Sequence, residues 1–282
     1  MKLQESAVKK YALKAGLKIL QPINLKDEDF IAELKSLKAD IQVIVAFRML
    51  PEVVWNMPAK GTFNLHGSLL PDYRGAAPIN WAIMNGEKET GVSTFFLDDK
   101  IDTGEIIDNS KTNISENETA GELHDRLMNI GAELVLETIK KIKTGTVSTK
   151  NQDSILNGRA PKLAYKIFKE NSKIDWYKDA LDVHNHIRGL SPYPAAHASI
   201  RYPDGKKLGL KIFESEILLE EDIELPWQNL APGEIKTDGK KNLIIGCGEG
   251  AVKIKILQLA GKKKMDTVSF LSGASLEGGY II

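Results

Sequence analysis

The stretch Asn64-Leu65-His66-Gly67-Ser68-Leu69-Leu70-Pro71-Asp72-Tyr73-Arg74-Gly75 places an amide and an imidazole two positions apart. On a β-strand, side chains two apart share a face, so Asn64 and His66 project together. An amide donor beside an imidazole can hold a carbonyl oxygen as it gains negative charge, which acyl transfer requires. The plainer alternative is a strand-end histidine satisfied by backbone groups. The loop that follows, with serine, proline, tyrosine and Arg74-Gly75, is richer than a connection needs and reads as a binding loop. A second cluster is Asp98-Asp99-Lys100-Ile101-Asp102-Thr103-Gly104, between two apolar runs. Asp102 could orient His66 and stabilise its protonated form. Taken alone, the same aspartates and glycine suit a tight turn. No second histidine lies near His66 and cysteines are not paired, so the pattern does not indicate a metal site. Phosphate-loop and dinucleotide glycine fingerprints are also lacking; Gly246-Cys247-Gly248-Glu249-Gly250 has the wrong spacing.

These residues need elements to hold them, and the first half of the chain alternates short apolar runs with helical patterns. Helical spacing covers Ala7–Ala15 and Asp27–Lys38, with a short strand at Leu17–Leu20 between them. Strands are predicted at Ile41–Ala46, Gly61–His66, Val92–Leu97 and Glu105–Asn109. Pro78–Asn85 reads as a helix with proline in its first turn and Gly86 to end it. Thr119-Ala120-Gly121-Glu122 has capping-box spacing and opens a long helix that Gly145 stops. If the sheet is open and mostly parallel, Asn64 and His66 stand at the C-terminal strand end where such sheets bind ligands. Residues 151–167 turn polar, with Gly158 and Pro161, and read as a linker. Beyond it, a helix at Ala180–Arg188 precedes short strands near Ala198–Tyr202, Lys207–Glu216, Gly233–Thr237, Leu243–Cys247 and Val252–Ala260, the spacing of a small β-barrel.

Composition bounds what such a chain can be. Over 282 residues, 42% hydrophobic and 27% charged side chains describe a folded globular protein and exclude a disordered one. Net charge is zero, which argues against indiscriminate nucleic-acid binding but leaves room for a local patch. Lys262-Lys263-Lys264 is such a candidate, against the alternative of a solvated loop. One cysteine, Cys247, excludes a disulfide framework. No apolar run approaches the length of a membrane span and the opening residues lack a signal-peptide core, so the setting reads as cytoplasmic.

Asn64-Leu65-His66, Ser68-Leu69-Leu70-Pro71, Tyr73-Arg74-Gly75-Ala76-Ala77-Pro78 and Ile101-Asp102-Thr103-Gly104 together resemble the signature of the 10-formyltetrahydrofolate-dependent formyltransferases. The likeness runs through Arg188-Gly189-Leu190-Ser191-Pro192-Tyr193-Pro194-Ala195, Pro232-Gly233-Glu234-Ile235 and Leu257-Gln258-Leu259-Ala260-Gly261-Lys262-Lys263-Lys264-Met265. That last stretch favours the members that formylate methionine esterified to initiator tRNA. The resemblance implies an α/β fold in three parts. A Rossmann-like formyltransferase domain with a mostly parallel sheet would span residues 1–150, followed by the linker 151–167. An OB-like β-barrel that binds tRNA would span residues 168–282. It also implies roles. Asn64 and His66 would polarise the formyl carbonyl and hold the oxyanion, and Asp102 would set the charge of His66 and help move protons from the attacking amine. Ser68, Leu69, Leu70 and Pro71, with Phe47, Arg48, Met49 and Leu50, would line the tetrahydrofolate site. Lys262, Lys263 and Lys264 would meet tRNA phosphates. The donor would be 10-formyltetrahydrofolate with no metal. The acceptor would be the α-amine of methionyl-tRNA, and the protein a monomer.

Two departures accompany the likeness. Gly67 stands where relatives commonly carry alanine. Relatives also begin with a strand, a glycine loop, a helix and a second strand ahead of the region matched by Lys2–Ser6. The chain therefore reads as N-terminally incomplete, with Met1 an internal methionine, or as a short form that closes its sheet differently. Three rival readings remain: a sugar-amine formyltransferase, a 10-formyltetrahydrofolate hydrolase, or an inactive fragment whose barrel binds RNA.

Overall fold

The computed structural model describes residues 5–46, 49–202, 204–218, 229–273, 276 and 280–282. Helices α1 (Ala7–Lys14) and α2 (Glu28–Ser36) start where Ser6 and Asp27 cap the backbone N–H groups of Lys9 and Phe30. Neither helix buries a residue. The strand expected at Leu17–Leu20 is not formed; the segment has no ladder partner among the described residues, and Leu17 stays 57% exposed.

Strand β1 (Gln42–Val45), helix α3 (Glu52–Trp55), strand β2 (Thr62–His66) and the two-residue strand β3 (Arg74–Gly75) follow. Helix α4 (Pro78–Met84) leads to strands β4 (Glu89–Phe96) and β5 (Ile106–Asn113), then to the long helix α5 (Ala120–Thr144). The capping box forms as the spacing predicts: Thr119 accepts from Glu122 N–H and the Glu122 carboxylate accepts from Thr119 N–H. Gly145 ends α5 in the left-handed conformation at φ 69°.

The sheet order is β1-β2-β4-β5. The expected parallel pairing holds for β1 with β2, whereas β2 with β4 and β4 with β5 are antiparallel. The nine residues between β4 and β5 are too few for the crossover a parallel pair needs, so that turn fixes their direction. Phe63 and Leu65 face α5, where Gly131 lets the helix approach; a Cβ there would lie 2.7 Å from a Leu65 methyl. The alternation of β2 therefore sends Asn64 and His66 to the opposite face.

The segment read as a linker is structured. Helix α6 (Gln152–Leu156) and strand β6 (Leu163–Ala164) lie within it, and β6 pairs in parallel with β3. Helix α7 (Ala180–Leu190) then opens the second half, followed by β7 (Ala196–Arg201), β8 (Lys207–Leu218), β9 (Ile235–Thr237), β10 (Leu243–Gly246) and β11 (Ala251–Leu259). Strand β12 (Met265–Asp266), helix α8 (Thr267–Leu271) and strand β13 (Tyr280–Ile281) complete it. These strands form an antiparallel sheet in the order β13-β7-β8-β11-β10-β9, with β12 on β11. A bridge between Glu234 and Tyr280 nearly closes it into the expected small barrel. Val183, Ile187 and Leu190 of α7 plug its core against Ile200, Ile212, Leu243 and Val252. The same helix rests on α4, where Asn80 Nδ2 donates to the Gly189 carbonyl at 2.7 Å.

Candidate active site

His66 ends β2 opposite Ser93 of β4, and Asn64 lies opposite Phe95. His66 is 6% exposed. Its Nε2 lies 2.8 Å from the carbonyl oxygen of Tyr73, which can only accept, so Nε2 carries a proton. Nδ1 faces Oδ2 of Asp102 at 3.8 Å, within ion-pair range but beyond a hydrogen bond. A proton taken up at Nδ1 would sit against that carboxylate. The resemblance implies that His66 helps hold an oxyanion; in this geometry its Nε2–H is directed to the Tyr73 carbonyl. Asn64 is the group with spare capacity, because its Oδ1 is buried without a partner among the described residues. Turning the amide about its last torsion would present an N–H donor in the same place. Such an orphaned buried amide fits a ligand carbonyl.

The aspartate is held in an unusual backbone conformation. Asp102 has φ 55°, a left-handed geometry that costs a non-glycine residue of order 1 kcal/mol. Its Oδ2 also accepts from Gly75 N–H at 2.9 Å, which ties the second cluster to the first. Gly75 itself has φ 126°, and a Cβ there would meet the Ala164 carbonyl oxygen at 2.4 Å. Gly104 is equally constrained, since a Cβ would fall 1.7 Å from the Phe96 carbonyl oxygen. The glycines flanking the site are thus required by close backbone approach.

The segment 151–164 secures the loop from outside. Arg159 grips the Asp72 carboxylate with two bonds of 2.7 and 2.6 Å, and Lys162 N–H donates to the same group at 3.0 Å. Burial tends to raise the Asp72 pKa, but the Arg159 bond, the Lys162 N–H and both positive charges outweigh it and hold the carboxyl below its usual value. Tyr73 N–H donates to the Lys162 carbonyl at 2.6 Å, and the Tyr73 hydroxyl donates to Glu87 at 2.5 Å. Burial and then the Glu87 carboxylate push the Tyr73 phenol well above its usual pKa, so it stays protonated as scaffold. Gln152 is 1% exposed; its Oε1 accepts from Arg74 Nε–H, and its Nε2 donates to the carbonyls of Asp102 and Gly104. Sequence reasoning missed Gln152 and Arg159, since a polar stretch with Gly158 and Pro161 carries no periodicity that would betray docking.

Other anticipated residues divide. Ser68, Leu70 and Pro71 are buried and Leu69 half-buried. Ser68 donates its hydroxyl to the Asp72 carbonyl, and Ser93 accepts from Leu70 N–H while donating to the Ser68 carbonyl. Their side chains shape the loop. Phe47 and Arg48 lie outside the described residues. Met49 is 74% exposed and Leu50 half-buried. Both follow β1, whose parallel register pairs Val45 with Leu65, so this loop leaves the sheet at the same end as His66. Lys262, Lys263 and Lys264 are exposed on the turn between β11 and β12, in the other half of the molecule. Among the described residues none of the three is ion-paired, and Lys264 Nζ sits 4.6 Å over the Phe213 ring. The described residues hold no group of three or more potential metal ligands and no helix long and apolar enough to cross a membrane.

Known proteins share this architecture. A formyl transferase family model matches residues 1–139, and a model of the formyl transferase C-terminal domain matches residues 166–275. A methionyl-tRNA formyltransferase of Flavobacterium johnsoniae is 52% identical over 272 residues, covering 96% of this chain and 83% of the relative. A protein of the same name from Bacteroides fragilis is 50% identical over 279 residues, covering 99% and 84%. Among solved structures, the N-formyltransferase of Helicobacter canadensis, in complex with folinic acid and dTDP-3-aminofucose, superposes with a TM-score of 0.62 at 23% identity, covering 91% of this chain and 82% of that one. HypX from Aquifex aeolicus in complex with tetrahydrofolic acid gives a TM-score of 0.62 at 22% identity, covering 86% of this chain; the match spans only 40% of HypX. These two show a shared fold. Two family models spanning both halves, and relatives about half identical from end to end, establish that the chain belongs to the formyl transferase family.

Proposed function

We propose that the chain transfers a formyl group from 10-formyltetrahydrofolate to the α-amine of methionine esterified to initiator tRNA. The observation that carries this reading is the placing of Asn64 and His66 on one face of β2 with the Asp102 carboxylate 3.8 Å from His66, in a chain about half identical to two methionyl-tRNA formyltransferases. Asn64 turns its amide to donate to the formyl oxygen as negative charge develops there. The amine nitrogen bonds to the formyl carbon, and the bond from that carbon to N10 of the folate breaks. His66 accepts the amine proton at Nδ1, opposite Asp102, and the proton ends on the departing N10. Esterification lowers the amine pKa, so the neutral nucleophile is available near neutral pH. The folate is held by Ser68, Leu69, Leu70 and Pro71 and by Met49 and Leu50, which follow β1, with Phe47 and Arg48 as further contacts outside the described residues. Residues 1–150 form the catalytic domain and residues 168–282 a tRNA-binding domain. Lys262, Lys263 and Lys264 meet tRNA phosphates there. The protein works as a monomer in the cytoplasm.

The rival acceptor is an amino sugar, because the fold is shared over 91% of the chain with an N-formyltransferase in complex with dTDP-3-aminofucose. Formyl uptake from 10-formyltetrahydrofolate should be measured with charged initiator tRNA and with a dTDP-linked amino sugar in parallel. Formylation of the tRNA alone is expected. Uptake by the sugar alone would overturn the reading.

A further inference from the structure

We infer that Gln152 is a positioning residue that sets the separation of His66 and Asp102, and that the segment after α5 is thereby part of the catalytic apparatus. The inference rests on the reading above, in which that pair carries the proton. A primary amide is the one neutral side-chain group that offers an acceptor and two donors at a single end. Gln152 uses all three. Its Oε1 accepts from Arg74 Nε–H at 2.9 Å, and its Nε2 donates to the carbonyls of Asp102 at 3.0 Å and Gly104 at 2.7 Å. The amide orientation follows from its partners, since a guanidinium only donates and carbonyls only accept.

Those contacts bind together the two chain segments that the site requires. Arg74 precedes Gly75, whose N–H holds the Asp102 carboxylate at 2.9 Å, and follows Tyr73, whose carbonyl holds His66 Nε2 at 2.8 Å. Asp102 and Gly104 are the other segment, in which Asp102 adopts a left-handed backbone and Gly104 packs on the Phe96 carbonyl. A left-handed non-glycine residue persists only where its surroundings over-determine it, and the Gln152 bond to the Asp102 carbonyl acts at that residue. Gln152 touches neither ring nitrogen of His66 nor the carboxylate, so its effect passes through the backbone of Asp102. The residue itself is anchored: Asn151 caps the short helix α6 by accepting from Asp153 and Ser154 N–H groups, and Gln152 is its first residue.

The test compares Gln152→Leu, which deletes all three bonds at similar bulk, with Gln152→Glu, which keeps an acceptor for Arg74 but sets oxygen against two carbonyls. Turnover should fall roughly ten- to a hundredfold in each, the scale of an ångström-sized misplacement. The Michaelis constants for folate donor and charged tRNA should stay within about twofold. In an Asp102→Asn background, Gln152→Leu should cost less than about threefold more, because the two act through one group. Normal turnover in either folded variant would overturn the inference. So would a raised Michaelis constant with turnover kept, or an undiminished penalty in the Asp102→Asn background. If Asp102→Asn alone turned over normally, the reading of the site itself would fail. A slow Asp102→Asn beside a normal Gln152 variant would sink the inference alone.

Discussion

Replacing Asp102 by asparagine removes one charge and almost nothing else. The side-chain carbonyl oxygen of the asparagine can still accept from Gly75 N–H, where Asp102 accepts at 2.9 Å. Asparagine also tolerates the left-handed backbone, here φ 55°, better than most residues. The fold should therefore survive, with a melting temperature within about 4 °C, the equivalent of about 1 kcal/mol in a protein of this size. Catalysis should not survive as well. With Nδ1 and Oδ2 3.8 Å apart, a proton on Nδ1 gains about 4 kcal/mol from the carboxylate at an effective dielectric constant of about 20. Full charge on the imidazole in the transition state would make that loss about a thousandfold in turnover, and half-developed charge roughly thirtyfold. The assay is single-turnover and steady-state formylation of charged initiator tRNA at saturating donor, with thermal denaturation of the same samples. Turnover within threefold of the parent, accompanied by a lower melting temperature, would make Asp102 a turn residue and refute the reasoning.

Asn64→Ala and His66→Ala should each lower turnover by about a hundredfold or more, the scale for one lost donor at a developing oxyanion or one lost proton acceptor; steady-state kinetics that find near-normal turnover in both would remove them from the mechanism. Replacing Lys262, Lys263 and Lys264 by alanine should raise the Michaelis constant for charged tRNA and lower its salt slope by roughly 0.7 to 0.9 per lost phosphate contact, with turnover at saturation unchanged. Kinetics at two salt concentrations decide it, and an unaltered tRNA constant at both would leave the lysines as solvated surface. Asp72→Asn should lower the melting temperature at pH 7, because the folded protein holds that carboxyl below its unfolded pKa. A depressed folded pKa means the stabilisation is complete above the unfolded value and is lost as pH falls through the folded one. The gap between parent and variant should therefore narrow in acid, and an equal gap at pH 7 and pH 3 would refute the link.

Much of this protein is written in its local sequence. The capping box at Thr119 and Glu122, the glycine stop at Gly145, the proline-led start of α4 and the alternating strands of the barrel all follow from neighbours in the chain. Local rules suffice there because a cap, a turn or an alternation is satisfied within a few residues. The face shared by Asn64 and His66 was legible for the same reason. The strand expected at Leu17–Leu20 shows the limit, since a run of apolar residues becomes a strand only when another strand supplies its hydrogen bonds.

What the tertiary structure alone decided are the distances between clusters far apart in the chain. In sequence Asp102 suits an orienting carboxylate or a turn former; the fold sets its carboxylate 3.8 Å from His66 Nδ1 and against Gly75 N–H. Sequence reading made His66 an oxyanion donor; only the fold shows its Nε2–H spent on the Tyr73 carbonyl seven residues on. Residues 151–167 read as a linker because polar residues, glycine and proline look alike in a solvated loop and in a segment that pairs its polar groups inward. Gln152 could be told from a surface glutamine only once Arg74, Asp102 and Gly104 surrounded its amide. A side chain's chemistry is fixed by its type, but which of its hydrogen bonds remain for a substrate depends on partners that only the fold brings near.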